Sequence, residues 1–482
     1  MRKKIVIVTL VLLLALSALL AGCNITEGQD YTIPLIDLES KPDGLPSDSE
    51  YAYLFDNSKD SDYRTIVDPT NTTDYLAHPD SVLIKDANGN LNTILTMFPE
   101  GHGKGNVKVR VSADKGKTYV ESSDIIVPES WAKSQETPTV YRLIFNKDNI
   151  PSSDDKLVMI SGNPTWYNDP SYKKNGFNAS VSSDEGKTWT EFETFYGRDY
   201  FGKMKAYKAF NCVVAMSSLT RLKDATTHEW KNEWMGLFHD KSWNCYKTIL
   251  TFDENGKMQW SYPEKYFNNE DNHYRSIQKK SNMCEVEVIR SEGGEGNELC
   301  LLTRSNSKKI NSLISFSTDE GKTWSEPKEV PAALNGERHK AEWVKDGDDW
   351  RLFITFRAID RSADRIAKYA PELKSKGWMS EGWIAWVGDW DDLKNGTEGD
   401  YRVKLAHTYL GDEEYPQRSA NGDTGYCGNV VFADGTIVTS SYGRFGEWDE
   451  AQGRYVNSQK TYILSKTIKS IKDLDAVVGY FK

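Results

Sequence analysis

One phrase recurs along this chain and constrains its fold more than any other feature. It reads VSADKGKTY at 111–119, VSSDEGKTW at 181–189 and FSTDEGKTW at 316–324, with a looser copy, TFDENGKMQW, at 251–260. The leading Ser or Thr residues are 112, 182, 251 and 317, so the spacings are 70, 69 and 66. A fixed period of this size marks a chain built from like units, each too small to bury a core alone. Each copy has the chemistry of a tight turn: an Asp to accept turn N–H groups, a Gly for a backbone other residues avoid, and an aromatic to pack beneath. Between the copies, short alternating runs of Val, Ile, Phe, Tyr and Trp separated by turn residues predict antiparallel strands, and amphipathic helical patterns are scarce. Dividing the span from Tyr75 to Lys482 by the period gives six units, with starts near Ala77, Thr137, Asn211, Glu285, Arg338 and Tyr426. The expected fold is all-β: a six-bladed β-propeller of four-stranded antiparallel blades. Residues 31–74 are expected to add a strand that completes the last blade, and no Pro-, Ser- or Gly-rich linker divides the chain after Thr32.

In such a blade the first two strands form a hairpin, so residues before the first and after the second meet at one end of the ring. Folding the sequence about its turn residues places Glu285 opposite Arg304, and brings His78 and Asp80 near Phe98, Glu100 and His102. The same operation sets Glu337, Arg338 and His339 beside Arg357, and Tyr426 opposite Tyr442. Polar residues from four hairpins therefore converge on one face, while the repeated turns fall at the other. His239, Asp240 and Asp423 also lie near inner-strand ends, and Trp166 and Tyr167 are candidates for stacking on a sugar.

The repeated phrases resemble the Asp-boxes of sialidases and other propellers, and the chain from about Tyr75 onward is similar to the sialidase superfamily. Two local patterns carry the resemblance: Glu285 opening a strand with Arg304 closing the next, and Gly425-Tyr426 leading VVFADGTIV. The resemblance implies an exo-glycosidase that removes a terminal acidic sugar with retention of configuration. Tyr426 would be the nucleophile, because a carboxylate nucleophile is repelled by a substrate carboxylate on the anomeric carbon, and Glu285 would be its base. Arg304, Arg357 and Arg338 would bind the substrate carboxylate through planar charge-assisted pairs. The family's Arg-Ile-Pro pattern is missing, and Leu76-Ala77-His78-Pro79-Asp80 stands in its place. Its acid/base is then Glu100 or Asp80, with His78 or Lys104 supplying the lost positive charge and His102 a further binding candidate. No metal or cofactor is called for. Two rivals stay open: a non-catalytic carbohydrate-binding propeller, and another glycosidase or a lyase on the same scaffold.

The N-terminus reads as an export signal, with Arg2-Lys3-Lys4 before an apolar run from Ile5 to Leu20. Leu20-Ala21-Gly22-Cys23 resembles a lipobox, so residues 1–22 are expected to be removed and Cys23 acylated. Residues 23–31 would be a tether and 32–482 the propeller, lipid-anchored to the membrane outside the cytoplasm. Losing those three basic residues leaves 57 Lys and Arg against 71 Asp and Glu, a formal charge of −14. That balance argues against nucleic acid or an anionic membrane surface as a partner, and it is the resemblance that implies a glycan. Five cysteines remain (212, 245, 284, 300 and 427), without metal-ligand spacing.

Overall fold

The computed structural model describes residues 35–37, 65–68, 75–102, 105–134, 136–163, 176–195, 212–267, 272–406, 423–444, 447–449, 454–456 and 460–478. The leader, Cys23, Lys104, Trp166 and Tyr167 lie outside them. Six small antiparallel sheets form the blades of a β-propeller. Their inner strands are Asp80–Lys85, Pro138–Leu143, Val213–Lys223, Met283–Arg290, Gly336–Asp346 and Cys427–Val431. Each begins within three residues of the start expected from the period. Among the described residues, blade 1 has three strands, and blades 2 and 4 have four each.

Chain segments from before the first blade finish the last two. Thr65–Ile66 pairs antiparallel with Tyr462–Ile468 and completes blade 6, as expected. Leu35–Asp37 adds to blade 5 by a parallel pairing, Leu35 with Arg402. That second addition has no signal in the periodicity.

Neighbouring blades bury alternate faces of their strands against one another. Phe177, Trp234 and Trp260 pack between blades 2 and 3, and Leu302, Ile354 and Trp386 between blades 4 and 5. The seam where blade 6 meets blade 1 holds a smaller set, with Ile94, Val430, Phe432 and Val438 at its centre. All five described cysteines are buried and unbridged.

The repeated phrases sit after the third strand of blades 1, 2 and 4, at the end of the ring away from the open hairpin ends. In each, one hydroxyl and one carboxylate saturate the turn. Ser182 Oγ donates to Asp184 Oδ1 (2.8 Å) and accepts from Gly186 N (2.9 Å), while Asp184 also takes Thr188 N (2.9 Å) and Thr188 Oγ1 (2.5 Å). The glycine is required twice over. Gly186 has φ +81°, and a Cβ there would stand 2.7 Å from Leu95 of the preceding blade. Gly116 and Gly321 meet Val438 and Met235 of their own preceding blades in the same way. These turns are therefore pegs between blades. Asp184→Ala is expected to lower stability by about 0.5–1.5 kcal/mol, the net worth of a hydrogen bond, because its Thr188 donors are exposed to solvent. Thermal melting checks this, and activity per folded molecule should be unchanged.

Candidate active site

The mouth of the propeller is built where inner strands break their regular pairing. In blade 4 the register shifts between Cys284, opposite Arg304, and Val286, opposite Thr303, so Glu285 bulges out. In blade 5 it shifts between Glu337, opposite Arg357, and Lys340, which throws out Arg338. Glu285 (φ 45°), Arg338 (φ 64°) and His78 (φ 51°) all take the left-handed backbone that non-glycine residues avoid. Such residues cost of order 1–3 kcal/mol each and cluster where a side chain must be re-aimed. All three strained positions surround Tyr426.

Tyr426 Oη donates to Glu285 Oε1 at 2.8 Å. Its ring lies 4.2 Å from the His78 ring centroid, and the Arg338 guanidinium stands 4.4 Å from its own. Arg304 Nη1 donates to both Glu285 oxygens at 2.7 Å, and its Nη2 donates to Asn306 Oδ1 at 2.8 Å. Burial alone would raise the Glu285 carboxyl, but Arg304 and Arg338 outweigh it and hold the group at about 2. Burial, with the Glu285 charge beside it, pushes the Tyr426 hydroxyl well above its usual value. The pair therefore rests as carboxylate and neutral phenol.

Two further carboxylates complete the cluster. Glu337, fully buried, accepts from Arg357 Nε at 2.7 Å and from Arg357 Nη2, and pairs with Lys308 Nζ at 2.7 Å. Arg304 Nε lies 2.9 Å from the same carboxylate, without hydrogen-bond alignment. Asp423 Oδ1 accepts from Arg338 Nη1 (2.9 Å), Arg357 Nη1 (3.1 Å) and Tyr442 Oη (2.8 Å). Its Oδ2 accepts from Tyr75 Oη (2.5 Å) and faces His102 Nε2 (2.9 Å).

The structure thus gathers Tyr426, Glu285, Arg304, Arg338, Arg357, His78 and His102 into one cluster. Glu100 lies one residue before Gly101-His102 and pairs with Lys108 at 3.2 Å. Asp80 is buried, and burial raises its carboxyl above the ordinary value despite Lys340 nearby. It accepts from Val140 N at 2.9 Å and pairs with Lys340 at 3.4 Å, so it ties blades 1, 2 and 5 together below the mouth. With Glu285, Arg338, Lys340 and Tyr426 it lines a cavity of about 40 Å³, room for a few waters. His78 does not replace a lost positive charge. Burial, with Arg338 and His102 nearby, lowers its pKa well below the usual value, so it is neutral, its Nδ1 2.9 Å from Thr137 Oγ1.

Arg361 turns away to Asn311 Oδ1 at 2.9 Å. His239 stacks on Trp243 at the mouth of blade 3, and Asp240 closes its own turn onto Asn244 N. Sequence reasoning missed Tyr75 and Lys308 and gave Glu337 no role. The signal for Glu337 was its place directly before Arg338 and opposite Arg357.

Fold and cluster together define a class: a six-bladed propeller carrying a Tyr–Glu pair ringed by arginines at its mouth. No family model and no curated protein matches the chain. Solved structures do resemble it. A mutant α-L-arabinofuranosidase of Fusarium graminearum, in complex with an iminosugar inhibitor, superposes with a TM-score of 0.50 at 10% identity, covering 84% of this chain and 97% of its own. The Fusarium graminearum α-L-arabinofuranosidase with arabinobiose gives 0.49 at 12% identity over 84% and 96%. Trypanosoma rangeli sialidase in complex with sialic acid gives 0.43 at 11% over 87% and 59%. At these identities the likeness is one of fold.

Proposed function

We propose that the protein is an exo-glycosidase of sialidase type, cleaving a terminal sugar with retention through a covalent intermediate on the Tyr426–Glu285 pair. The observation that carries this is the 2.8 Å hydrogen bond from Tyr426 to a carboxylate that two arginines keep ionised, at the open end of the ring. Buried tyrosines that serve only packing do not need a charged acceptor reached through a bulge. The general acid that protonates the leaving oxygen is Glu100, beside Lys108, or Asp80, which lines the cavity with Tyr426 and Glu285, a contribution of about 10²–10⁴ in rate.

Two forms of nucleophile fit the pair. In the first, Tyr426 attacks and Glu285 takes its proton. In the second, Glu285 attacks and Tyr426 orients it. The arginines that hold Glu285 low weaken it both as a base and as a nucleophile, so the charge state alone does not choose between the two. Trapping with a 2-fluoro sugar bearing an activated leaving group, followed by peptide mass mapping, tests the proposal. Label on Tyr426 or Glu285 is expected, and its position chooses between the two forms. Label elsewhere would place the chemistry on another residue, and glycan binding with no turnover of any glycoside would return the protein to its rival, a binding propeller.

A further inference from the structure

We propose, resting on the glycosidase reading, that this site takes a sugar uncharged at the arginine cluster, because Glu337 and Asp423 already occupy the place of a substrate carboxylate. All three nitrogens of Arg357 are engaged: Nε and Nη2 by Glu337, and Nη1 by Asp423. On Arg304, Nη1 is taken by Glu285 and Nη2 by Asn306, while Nε lies 2.9 Å from Glu337 without hydrogen-bond alignment. Arg338 spends Nη1 on Asp423, Thr424 O and Tyr442 Oη. On Arg357 a substrate carboxylate has no bidentate fork to enter without evicting one of the chain's own acids, whereas Arg338 Nε stands 3.7 Å from Glu285 without a hydrogen bond.

The charges leave no room for it either. Arg304, Arg338, Arg357 and Lys308 face Glu285, Glu337 and Asp423, and Glu136, whose charge also reaches Tyr426, brings four cations against four anions. His78 is neutral and adds nothing to the positive side. One more buried anion would be uncompensated, which is costly in a desolvated site. Asp423 is the selective element, because its side chain is 30% exposed and stands at the mouth, where an incoming acid meets it first.

The test uses the purified protein with arabinose, galactose, glucuronate and N-acetylneuraminate, and with their p-nitrophenyl glycosides. Binding is followed by saturation-transfer NMR and titration calorimetry. Wild-type protein is expected to bind neutral sugars at least about tenfold more tightly than acidic ones, the scale of one lost charge contact. Asp423→Asn should narrow that ratio about tenfold by freeing cationic nitrogens of Arg338 and Arg357. The wild-type ratio stands as a readout even if the variant fails to fold. Neutral preference in binding without turnover keeps this inference and overturns the glycosidase reading. Preferred binding and turnover of acidic glycosides keeps that reading and overturns the inference. A ratio unmoved in folded Asp423→Asn, or no sugar binding at all, also overturns it.

Discussion

Replacing Tyr426 by phenylalanine is expected to lower single-turnover hydrolysis of an activated aryl glycoside by about 10³-fold or more, the scale seen when a nucleophilic unit is broken. The ring keeps its place against His78 and Arg338, and only the hydroxyl bonded to Glu285 is lost. Stability should fall by about 1.5–3 kcal/mol, the worth of one hydrogen bond to a charged group. Glu285→Gln should be equally damaging, because an amide neither takes a proton nor attacks. The double variant should be little worse than the worse single one, since groups that act as a unit are strongly non-additive. Near-normal turnover by Tyr426→Phe, together with a fully impaired Glu285→Gln, would assign the attack to the carboxylate. Near-normal turnover by both would place the chemistry elsewhere.

The largest stability effect is expected at Glu337. Its removal as Glu337→Ala leaves Lys308 and one edge each of Arg304 and Arg357 with no counter-charge beside a fully buried position, Asp423 alone remaining for Arg357. Breaking such a pair from one side costs about 3–5 kcal/mol. Urea unfolding at neutral pH measures it, and a change near zero would mean that the cluster relaxes onto Asp423. The pH dependence follows from the same charges. Burial would raise Glu337, but Arg304, Arg357 and Lys308 hold it far below its ordinary value, and Glu285 is held at about 2. Both groups therefore bind protons more readily when unfolded. Their stabilisation is present above an unfolded carboxyl value of about 4.3 and is lost as pH falls toward 2. In Glu337→Ala the loss over that window should be shallower.

The ring was legible because its turns must solve one problem repeatedly. Each needs a positive-φ glycine pressed against the neighbouring blade, so Gly116, Gly186 and Gly321 recur with their Ser and Asp partners. Hairpin arithmetic found the Glu337–Arg357 pairing directly and missed that of Glu285 by one residue. It could not see that these positions are bulged, because a bulge is set by packing beyond the strand that carries it. That is also why Asp80 and Glu100 were indistinguishable as acids: neighbours from other strands, Lys340 for Asp80 and Lys108 for Glu100, set the surroundings of each. Asp423 carried no motif, and its importance comes from five donors on Tyr75, His102, Arg338, Arg357 and Tyr442. The parallel strand at Leu35–Asp37 had no repeat to announce it.

Ring closure gives the molecule an order of assembly. Thr65 pairs with Ser465, and Thr461 Oγ1 donates to Leu76 O across 385 residues of chain, so the clasp joins segments made early and late in synthesis. Contacts of such separation form slowly, after local hairpins have settled. The cluster around Tyr426 draws on both sides of this clasp: Tyr426 comes from the last blade, His78 from the first, and Tyr75 reaches Asp423 over the join. A chain still lacking its final blade has most of its scaffold and none of these contacts. The cluster can therefore be complete only once the circle is closed.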